Sequence, residues 1–265
     1  MTYGDLLLEK ERGIATITLN VPGKLNALTE KMRMNLPLAV DEIAKDDEVR
    51  VVIVTGAGRG FCSGADVTAM AKRSGDGTEI PRHTRLQILG WPFVDVFPKL
   101  NKPVIAAING PCVGGGFSLA LSCDIRIASE TARFGVLQIA RALVPDFGIT
   151  HHLPNIVGTS KALELMFTGE LISAAEAEQL GIVSRVVPPD ELMKAVRELA
   201  ARIAQQAPIP VELTKKIIWR GLLEDLTRQL DLETYAQQIC LGTEDHQESV
   251  RAFLEKRPQP LFKGK

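Results

Sequence analysis

The stretch KPVIAAINGPCVGGGFSLALSCD, residues 102–124, decides the fold. Its apolar run at 104–108 is typical of a fully buried strand, and the Asn-Gly-Pro that follows predicts a turn. Gly114, Gly115 and Gly116 then precede an apolar helical run at 117–123. Consecutive glycines let the backbone approach a ligand closely, and the first N–H groups of a helix lack internal partners. The stretch therefore predicts either bare N–H donors facing a negatively charged oxygen or simply tight packing of a strand against a helix.

Length, charge and cysteine spacing restrict the class of protein. The 265 residues fit one large domain, or one domain with a small appendage, and a net charge of -1 leaves no basic footprint for nucleic acid. The cysteines, Cys62, Cys112, Cys123 and Cys240, have neither CxxC nor metal-ligand spacing, so they predict reduced thiols and no metal site. No apolar run reaches membrane-spanning length, and the N-terminus lacks the pattern of a secretion signal. We therefore expect a cytoplasmic protein without a membrane span.

Strands and helices alternate along most of the chain. Residues 14–19 alternate as the second strand of a predicted hairpin, and the apolar run at 49–55 predicts the clearest strand. The glycine-rich turn at 56–60 is followed by Phe61, where the dinucleotide fingerprint GxGxxG needs its last glycine, so it does not predict a nicotinamide site. From Asp190 onward the residues repeat with helical periodicity. This layout predicts an α/β fold with a parallel sheet and a helical C-terminal region.

The segment at 73–98 is the least regular part of the sequence. Glycines and two prolines interrupt it, and the aromatic residues Trp91, Phe93 and Phe97 lie near its end. It predicts either a variable loop with one helix over a pocket or a surface insertion.

Four motifs, in the same order along the chain, resemble those of the crotonase family, the enoyl-CoA hydratase/isomerase superfamily. They are LNALT at 25–29, VVIVTGAGRGFCSGADV at 51–67, the stretch at 102–129, and TEDHQESVRAFLEKRPQPLFKG at 243–264. The resemblance implies a spiral of ββα units with a helical C-terminal region. It implies a core at 1–195 that holds the active site and a region at 196–265 that covers the pocket and makes trimer contacts. It also implies a homotrimer or homohexamer that acts on an acyl-CoA thioester, with coenzyme A as part of the substrate and no separate cofactor.

The resemblance also places an oxyanion hole, in which the backbone N–H groups of Ala65 and Gly115 hold the oxygen of a thioester enolate. One such preorganised donor contributes about 2.7–4 kcal/mol to the stability of a transition state. Ala65 is otherwise only a small residue at the start of a helix. The implied positions for binding the CoA substrate are Lys24, Leu25, Ala27, Ser63, Ala65, Asp66, Val67, Gly115 and Lys256. Lys256 corresponds to a tail lysine that reaches the nucleotide of a neighbouring subunit, unless it is simply a solvated lysine.

The sequence departs from the family at the acids. Hydratases of the family carry two glutamates, and the matching positions here hold Ser118 and Gln138, neither of which is a carboxylate base. Asp146, in Pro-Asp-Phe-Gly, instead resembles the single carboxylate of family isomerases, although an aspartate before such a turn also serves to shape it. The favoured interpretation is therefore an enoyl-CoA isomerase in which Asp146 moves a proton between two carbons.

Three other functions remain open. One is an enoyl-CoA hydratase with altered chemistry, and another is a non-catalytic acyl-CoA-binding subunit that keeps the donors but has lost the acids. The third is a thioester hydrolase, because the sequence Gly-Phe-Ser-Leu-Ala at 116–120 differs at one residue from a GxSxG nucleophile elbow. Its serine, Ser118, is followed by Asp146 and His151 in the order found in serine hydrolases.

Overall fold

The structure is a computed structural model of the chain, and it describes residues 1–66, 95–222, 226–258 and 260–265. Val67 and most of the predicted pocket loop at 73–98 lie outside the described residues.

The strands and helices of the described residues follow one another as the alternation predicted. The strands are β1 Thr2–Tyr3, β2 Leu6–Glu11, β3 Ile14–Leu19, β4 Val51–Gly56, β5 Val104–Ile108, β6 Pro111–Val113, β7 Ile125–Ser129, β8 Arg133–Gly135, β9 Ile172–Ser173 and β10 Arg185–Val187. The α-helices are α1 Glu30–Lys45, α2 Val96–Lys99, α3 Gly115–Leu121, α4 Ile149–Val157, α5 Thr159–Thr168, α6 Ala174–Gln179, α7 Leu192–Ala204, α8 Pro208–Gly221, α9 Leu226–Leu241 and α10 Glu244–Leu254.

Most strands form one mixed sheet, whose order is β1-β2-β3-β4-β5-β7-β10. The predicted N-terminal hairpin is confirmed by the antiparallel pairing of β2 with β3. From β3 to β10 the neighbours are parallel, as the strand–helix alternation predicted. Strands β4 and β5 are buried along their whole length, since both faces of the sheet are covered.

Helices cover the two faces of this sheet. Thr29 caps α1 by accepting a hydrogen bond from Met32 N at 3.1 Å, and the buried stripe of α1 packs on one face. Helix α7 lies on the other face, where Val196 packs in a second cluster with Ile53 and Ile105. Burial of one such aliphatic side chain contributes about 1.5–3 kcal/mol. The predicted boundary at 195/196 falls inside α7, and the division into two units stays a prediction.

A second, smaller sheet carries the glycine loop. Residues 109–111 were predicted only as a turn, but the chain goes on to form β6, which pairs in parallel with β8, and β8 pairs with β9. An isolated bridge between Cys62 and Cys112 ties β6 to the loop after β4. The small sheet therefore positions the glycines between β6 and the start of α3, and the apolar pattern alone did not indicate this position.

A buried charged network holds α8 against the sheet. Lys215 Nζ lies 2.8 Å from Asp124 Oδ2 and donates to the carbonyl oxygens of Phe97 and Lys102 at 2.8 and 2.9 Å. Asp124 in turn accepts from Val104 N at 2.7 Å and from the Trp219 indole at 2.6 Å. Every polar group of this pair has a partner, as a buried ion pair requires.

Within the described ranges, no helix has both the length and the apolar composition needed to span a bilayer.

Candidate active site

A cavity of about 610 Å³ lies where the two sheets meet. Most of the residues predicted to bind substrate or act on it line this one cavity. They are Lys24, Ala27, Ser63, Ala65, Asp66, Gly115 and Asp146, and Gln138, at one of the replaced glutamate positions, lines the cavity too. The fold therefore brings together positions that are far apart in the sequence.

The two predicted oxyanion residues belong to backbone segments in close contact. A Cβ atom built on Gly64 would lie 2.9 Å from the carbonyl oxygen of Val113 and 3.2 Å from Gly115 N, and Gly64 has φ +86°. A side chain at this position would therefore separate the segments. Leu28 N donates to Gly64 O at 2.7 Å in the bridge beside Ala65, so this bond does not use the Ala65 N–H. Gly115 is the first residue of α3, where the N–H has no partner within the helix.

Phe147 packs against Gly115 from the other side of the cavity. A Cβ atom on Gly115 would lie 2.8 Å from Phe147 Cδ2 and 2.9 Å from Leu28 Cδ1. Phe147 itself is left-handed, with φ +57°, and Gly148 follows with φ +79°. The glycine at 115 thus provides the room in which the turn after Asp146 can lie.

Asp146 is a half-buried carboxylate inside this cavity. Burial raises its pKa above the usual range, while a hydrogen bond from Gln138 acts in the opposite direction. Gln138 Nε2 donates to Asp146 Oδ1 at 3.1 Å. A carboxyl group in such surroundings is suited to exchange a proton with a bound substrate.

Gln138 presents an unused acceptor next to that carboxylate. Its side chain is 9% exposed, and Oε1 is buried without a hydrogen-bond donor among the described residues. A Cβ atom on Gly114 would lie 3.9 Å from this oxygen, so it faces the glycine loop. The orientation of the amide follows from chemistry, because an ionised carboxylate only accepts and therefore needs the nitrogen.

Ser118 lies beneath the cavity rather than in its lining. The side chain is fully buried on α3, and its Oγ donates to the main-chain oxygen of Asp146 at 3.1 Å. In the described ranges, no hydrogen bond joins Ser118 to His151, whose side chain is exposed. The arrangement gives no support to the thioester hydrolase, since a nucleophilic serine needs a base within hydrogen-bond reach.

The remaining predicted binding residues differ in their places. Lys24 Nζ forms an ion pair of 2.8 Å with Asp66 at the mouth of the cavity, and Ser63 Oγ donates to Lys24 O at 3.0 Å. Leu25 is not part of the lining, but its carbonyl oxygen accepts from Ser63 N at 2.9 Å. Lys256 is exposed beyond α10 and does not line this cavity, so its role toward a neighbouring subunit stays a prediction.

Sequence reasoning missed several residues of the site. Asn26 is fully buried, and its Nδ2 donates to the carbonyl oxygens of Ala57 and Gly60 at 2.9 and 2.7 Å. It thereby ties the first turn to the glycine-rich turn after β4. Arg33 and Arg141 also line the cavity. The presence of Asn26 within LNALT was the one available signal, because a polar residue inside an apolar motif is informative.

The thiol of Cys62, in the loop before Ala65, is not suited to act as a nucleophile. Burial raises the pKa of the Cys62 thiol to about 12, which keeps the thiol protonated. The adjacent histidines at 151 and 152 lie near the start of α4. His151 is exposed, whereas His152 is half-buried with its ring centroid 5.4 Å from that of Trp219. In the part of the chain that the structure describes, no group of three or more His, Cys, Asp or Glu side chains is arranged to hold a metal ion.

Comparisons with known proteins give a consistent result. The family model described as enoyl-CoA hydratase/isomerase matches residues 9–265. The short-chain-enoyl-CoA hydratase of Clostridium acetobutylicum is 40% identical over 266 residues, which cover 100% of both chains. The crotonyl-CoA hydratase of Syntrophomonas wolfei is 36% identical over 97% of both chains. The crystal structure of an enoyl-CoA hydratase from Bacillus anthracis superposes with a TM-score of 0.90 at 35% identity, covering 99% of this chain and 100% of that one.

These matches extend over nearly the whole chain and agree with the four motifs, the α/β fold with its mixed sheet, and the cavity at the glycine loop. The chain therefore belongs to the enoyl-CoA hydratase/isomerase family, the crotonase superfamily.

Proposed function

We propose that the protein is an enoyl-CoA hydratase that works with a single carboxylate, Asp146, and an amide, Gln138, in place of two glutamates. This differs from the isomerase favoured by the sequence, and two findings support the change. Two relatives that match over 97% or more of the chain are named hydratases. In addition, the buried oxygen of Gln138 next to Asp146 is an acceptor that a water molecule would satisfy.

The proposed steps follow from these groups. A water molecule lies between Asp146 and Gln138 Oε1, and Asp146 takes one of its protons as the oxygen adds to C3 of the enoyl thioester. The negative charge that develops on the thioester oxygen is held by the N–H groups of Ala65 and Gly115. Asp146 then returns the proton to C2, so that water has been added across the double bond. The substrate supplies coenzyme A, and the steps use no separate cofactor.

The second candidate is the isomerase. It is favoured by one observation, namely that Asp146 is the carboxylate near the glycine loop, while Asp66 is paired with Lys24 at the mouth. One base suffices for a 1,3-proton shift, in which Asp146 would take a proton from C2 of a 3-enoyl thioester and return it to C4.

A paired assay of four purified proteins tests both candidates. The unmutated protein is given a trans-2-enoyl-CoA, followed by loss of its conjugated absorbance, and separately a 3-enoyl-CoA, followed by gain. We expect hydration by the unmutated protein, and its loss by about 10²- to 10⁴-fold in Asp146→Asn. In Gln138→Leu, which keeps Asp146 but has no acceptor, we expect hydration to fall about 10- to 100-fold, since a buried polar group that stays unsatisfied costs about 1–3 kcal/mol.

The outcomes distinguish the hydratase from the isomerase and from a non-catalytic subunit. Gain of absorbance from the 3-enoyl-CoA without hydration would replace the hydratase by the isomerase, and Gln138→Leu would then keep its activity. Binding of acyl-CoA without turnover of either substrate would favour a non-catalytic subunit. The fourth protein, Gln205→Leu, changes an exposed glutamine at the end of α7 and is expected to behave like the unmutated one.

A further inference from the structure

One short helix carries a proposed oxyanion donor and also contacts the segment of the proposed base, Asp146. Helix α3 begins at Gly115, whose N–H is a proposed donor, and carries Ser118 one turn later. The Ser118 side chain is fully buried, so its hydroxyl has no access to water. A buried hydroxyl needs a partner within the protein, and the choice of that partner shows what the residue holds in place.

The partner is the main chain of Asp146. Ser118 Oγ lies 3.1 Å from Asp146 O and 3.4 Å from Gly114 O. Gly114 O already accepts from Phe117 N and Ser118 N at 3.0 and 3.1 Å. Asp146 O accepts otherwise only a longer bond, of 3.3 Å, from Ile149 N in the described main chain. The single hydroxyl proton of Ser118 is therefore best used at Asp146.

The turn after Asp146 needs such an anchor. Phe147 and Gly148 are both left-handed, and a left-handed residue other than glycine costs about 1–2 kcal/mol. If its end were not fixed, the turn would lower its free energy by relaxing to a less strained conformation. The turn is also held by the Phe147 ring against Gly115, by the Gln138 amide on the carboxylate and by the 3.3 Å bond from Ile149 N to Asp146 O.

We propose that Ser118 is a positioning residue for Asp146. By fixing the Asp146 carbonyl to α3, its hydroxyl sets the place of the carboxylate relative to the Gly115 N–H on the same helix. Position 118, where hydratases of the family carry a glutamate, thus holds a residue that supports an acid from another segment. This inference rests on the proposed function, in which Asp146 exchanges the proton.

The test compares two serines of the same segment. Ser118→Ala removes the bond to Asp146, whereas Ser122→Ala is a matched control. Ser122 is also fully buried, but its Oγ donates to Leu119 O at 2.8 Å and does not touch the turn. We expect Ser118→Ala to lower kcat about 10- to 100-fold with KM changed less than about two-fold, because a misplacement of about 1 Å costs up to about 10²-fold. Ser122→Ala is expected to keep kcat.

A double variant shows whether Ser118 acts through Asp146. If it does, adding Ser118→Ala to Asp146→Asn causes no further loss of kcat, since the group being positioned is already gone. Losses that multiply, or equal losses in Ser118→Ala and Ser122→Ala, would overturn the proposal. Ser118→Cys, which keeps the volume and weakens the donor, serves if Ser118→Ala does not fold, and its kcat is expected to fall in the same way.

The proposed function and this inference fail differently. Unchanged turnover in Asp146→Asn would remove the base itself. Loss of turnover in Asp146→Asn together with full kcat in both Ser118→Ala and Ser118→Cys would leave the base in place and remove only the role of Ser118.

Discussion

At the scale of single residues, the environment of each ionisable group determines the protonation state in which it works. Burial raises the pKa of Asp146, which makes the carboxylate a stronger base than an exposed aspartate. A mechanism that needs Asp146 ionised therefore loses activity as the pH falls through this raised pKa. His152 shows the opposite effect, because burial first, and then His151 and Arg126, lower its pKa to about 4.

His152 should make the stability of the protein depend on pH. Its pKa of about 4 in the folded chain lies below the ordinary 6.5, so between these values the unfolded chain binds a proton that the folded chain does not. Stability is thus retained above pH 6.5 and lost as the pH falls towards 4. After allowance for the side chain's contact with solvent, we expect His152 to account for a loss of about 2 kcal/mol.

Urea unfolding at a series of pH values between 7.5 and 4 measures this contribution. His152→Gln should flatten the curve in that range, whereas His151→Gln should leave most of the pH dependence in place, because burial is the larger cause of the low pKa of His152. Identical curves for His152→Gln and the unmutated protein would show that His152 is not the group responsible.

At the scale of elements, the ends of strands and helices decide where the chemistry lies. Ala65 follows the large-sheet strand β4, and Gly115 follows the small-sheet strand β6. Helix α8 is attached to the large sheet by one side chain. Lys215 contacts Asp124 and two carbonyl oxygens there.

We expect Lys215→Met to lower the free energy of unfolding by about 3–5 kcal/mol, because it leaves the Asp124 carboxylate buried without its counter-charge. Lys216→Met is the matched control, since Lys216 is exposed on the same helix, and it should stay within about 0.5 kcal/mol of the unmutated protein. Chemical denaturation followed by circular dichroism compares the two variants. Equal stability would mean that the buried pair contributes nothing net to the attachment of α8.

Many of the strands and helices could be predicted from the sequence. The apolar runs predicted β4 and β5, and the helical periodicity from Asp190 onward predicted the helices of the C-terminal region. Strand β6 escaped prediction because it has three residues and follows an Asn-Gly-Pro turn. The hydrogen bonds from Gln138 and Ser118 to Asp146 escaped it too, since a contact between distant segments leaves no periodic pattern.

At the scale of the whole molecule, the helical C-terminal region leaves apolar surface uncovered. A cavity of about 720 Å³ lies beside α4 and α8, and Trp219 and Phe262 are part of its lining. On α8 and α9 the side chains of Ile218 and Tyr235 are 58% and 70% exposed. Exposed apolar patches of this kind mark surfaces that pack against another chain.

The resemblance to the family implied a trimer or a pair of trimers, and this stays a prediction. We expect sedimentation equilibrium to give three or six times the chain mass of 28.9 kDa. Tyr235→Glu is expected to shift the species towards the single chain, because a charge in an apolar contact must be desolvated. A single-chain mass for the unmutated protein would contradict the prediction.

The small sheet has a consequence for how the cavity responds to change. Gly115 and Gln138 follow the small-sheet strands β6 and β8, whereas Ala65 lies in the loop that follows β4 of the large sheet. The two proposed donors therefore come from segments that follow strands of different sheets, and the bridge between Cys62 and Cys112 joins these segments. Phe117 and Phe134, with ring centroids 5.5 Å apart, join α3 to β8 behind the cavity. The packing of these two buried rings therefore helps to keep the proposed donor at Gly115 in a fixed position relative to Gln138.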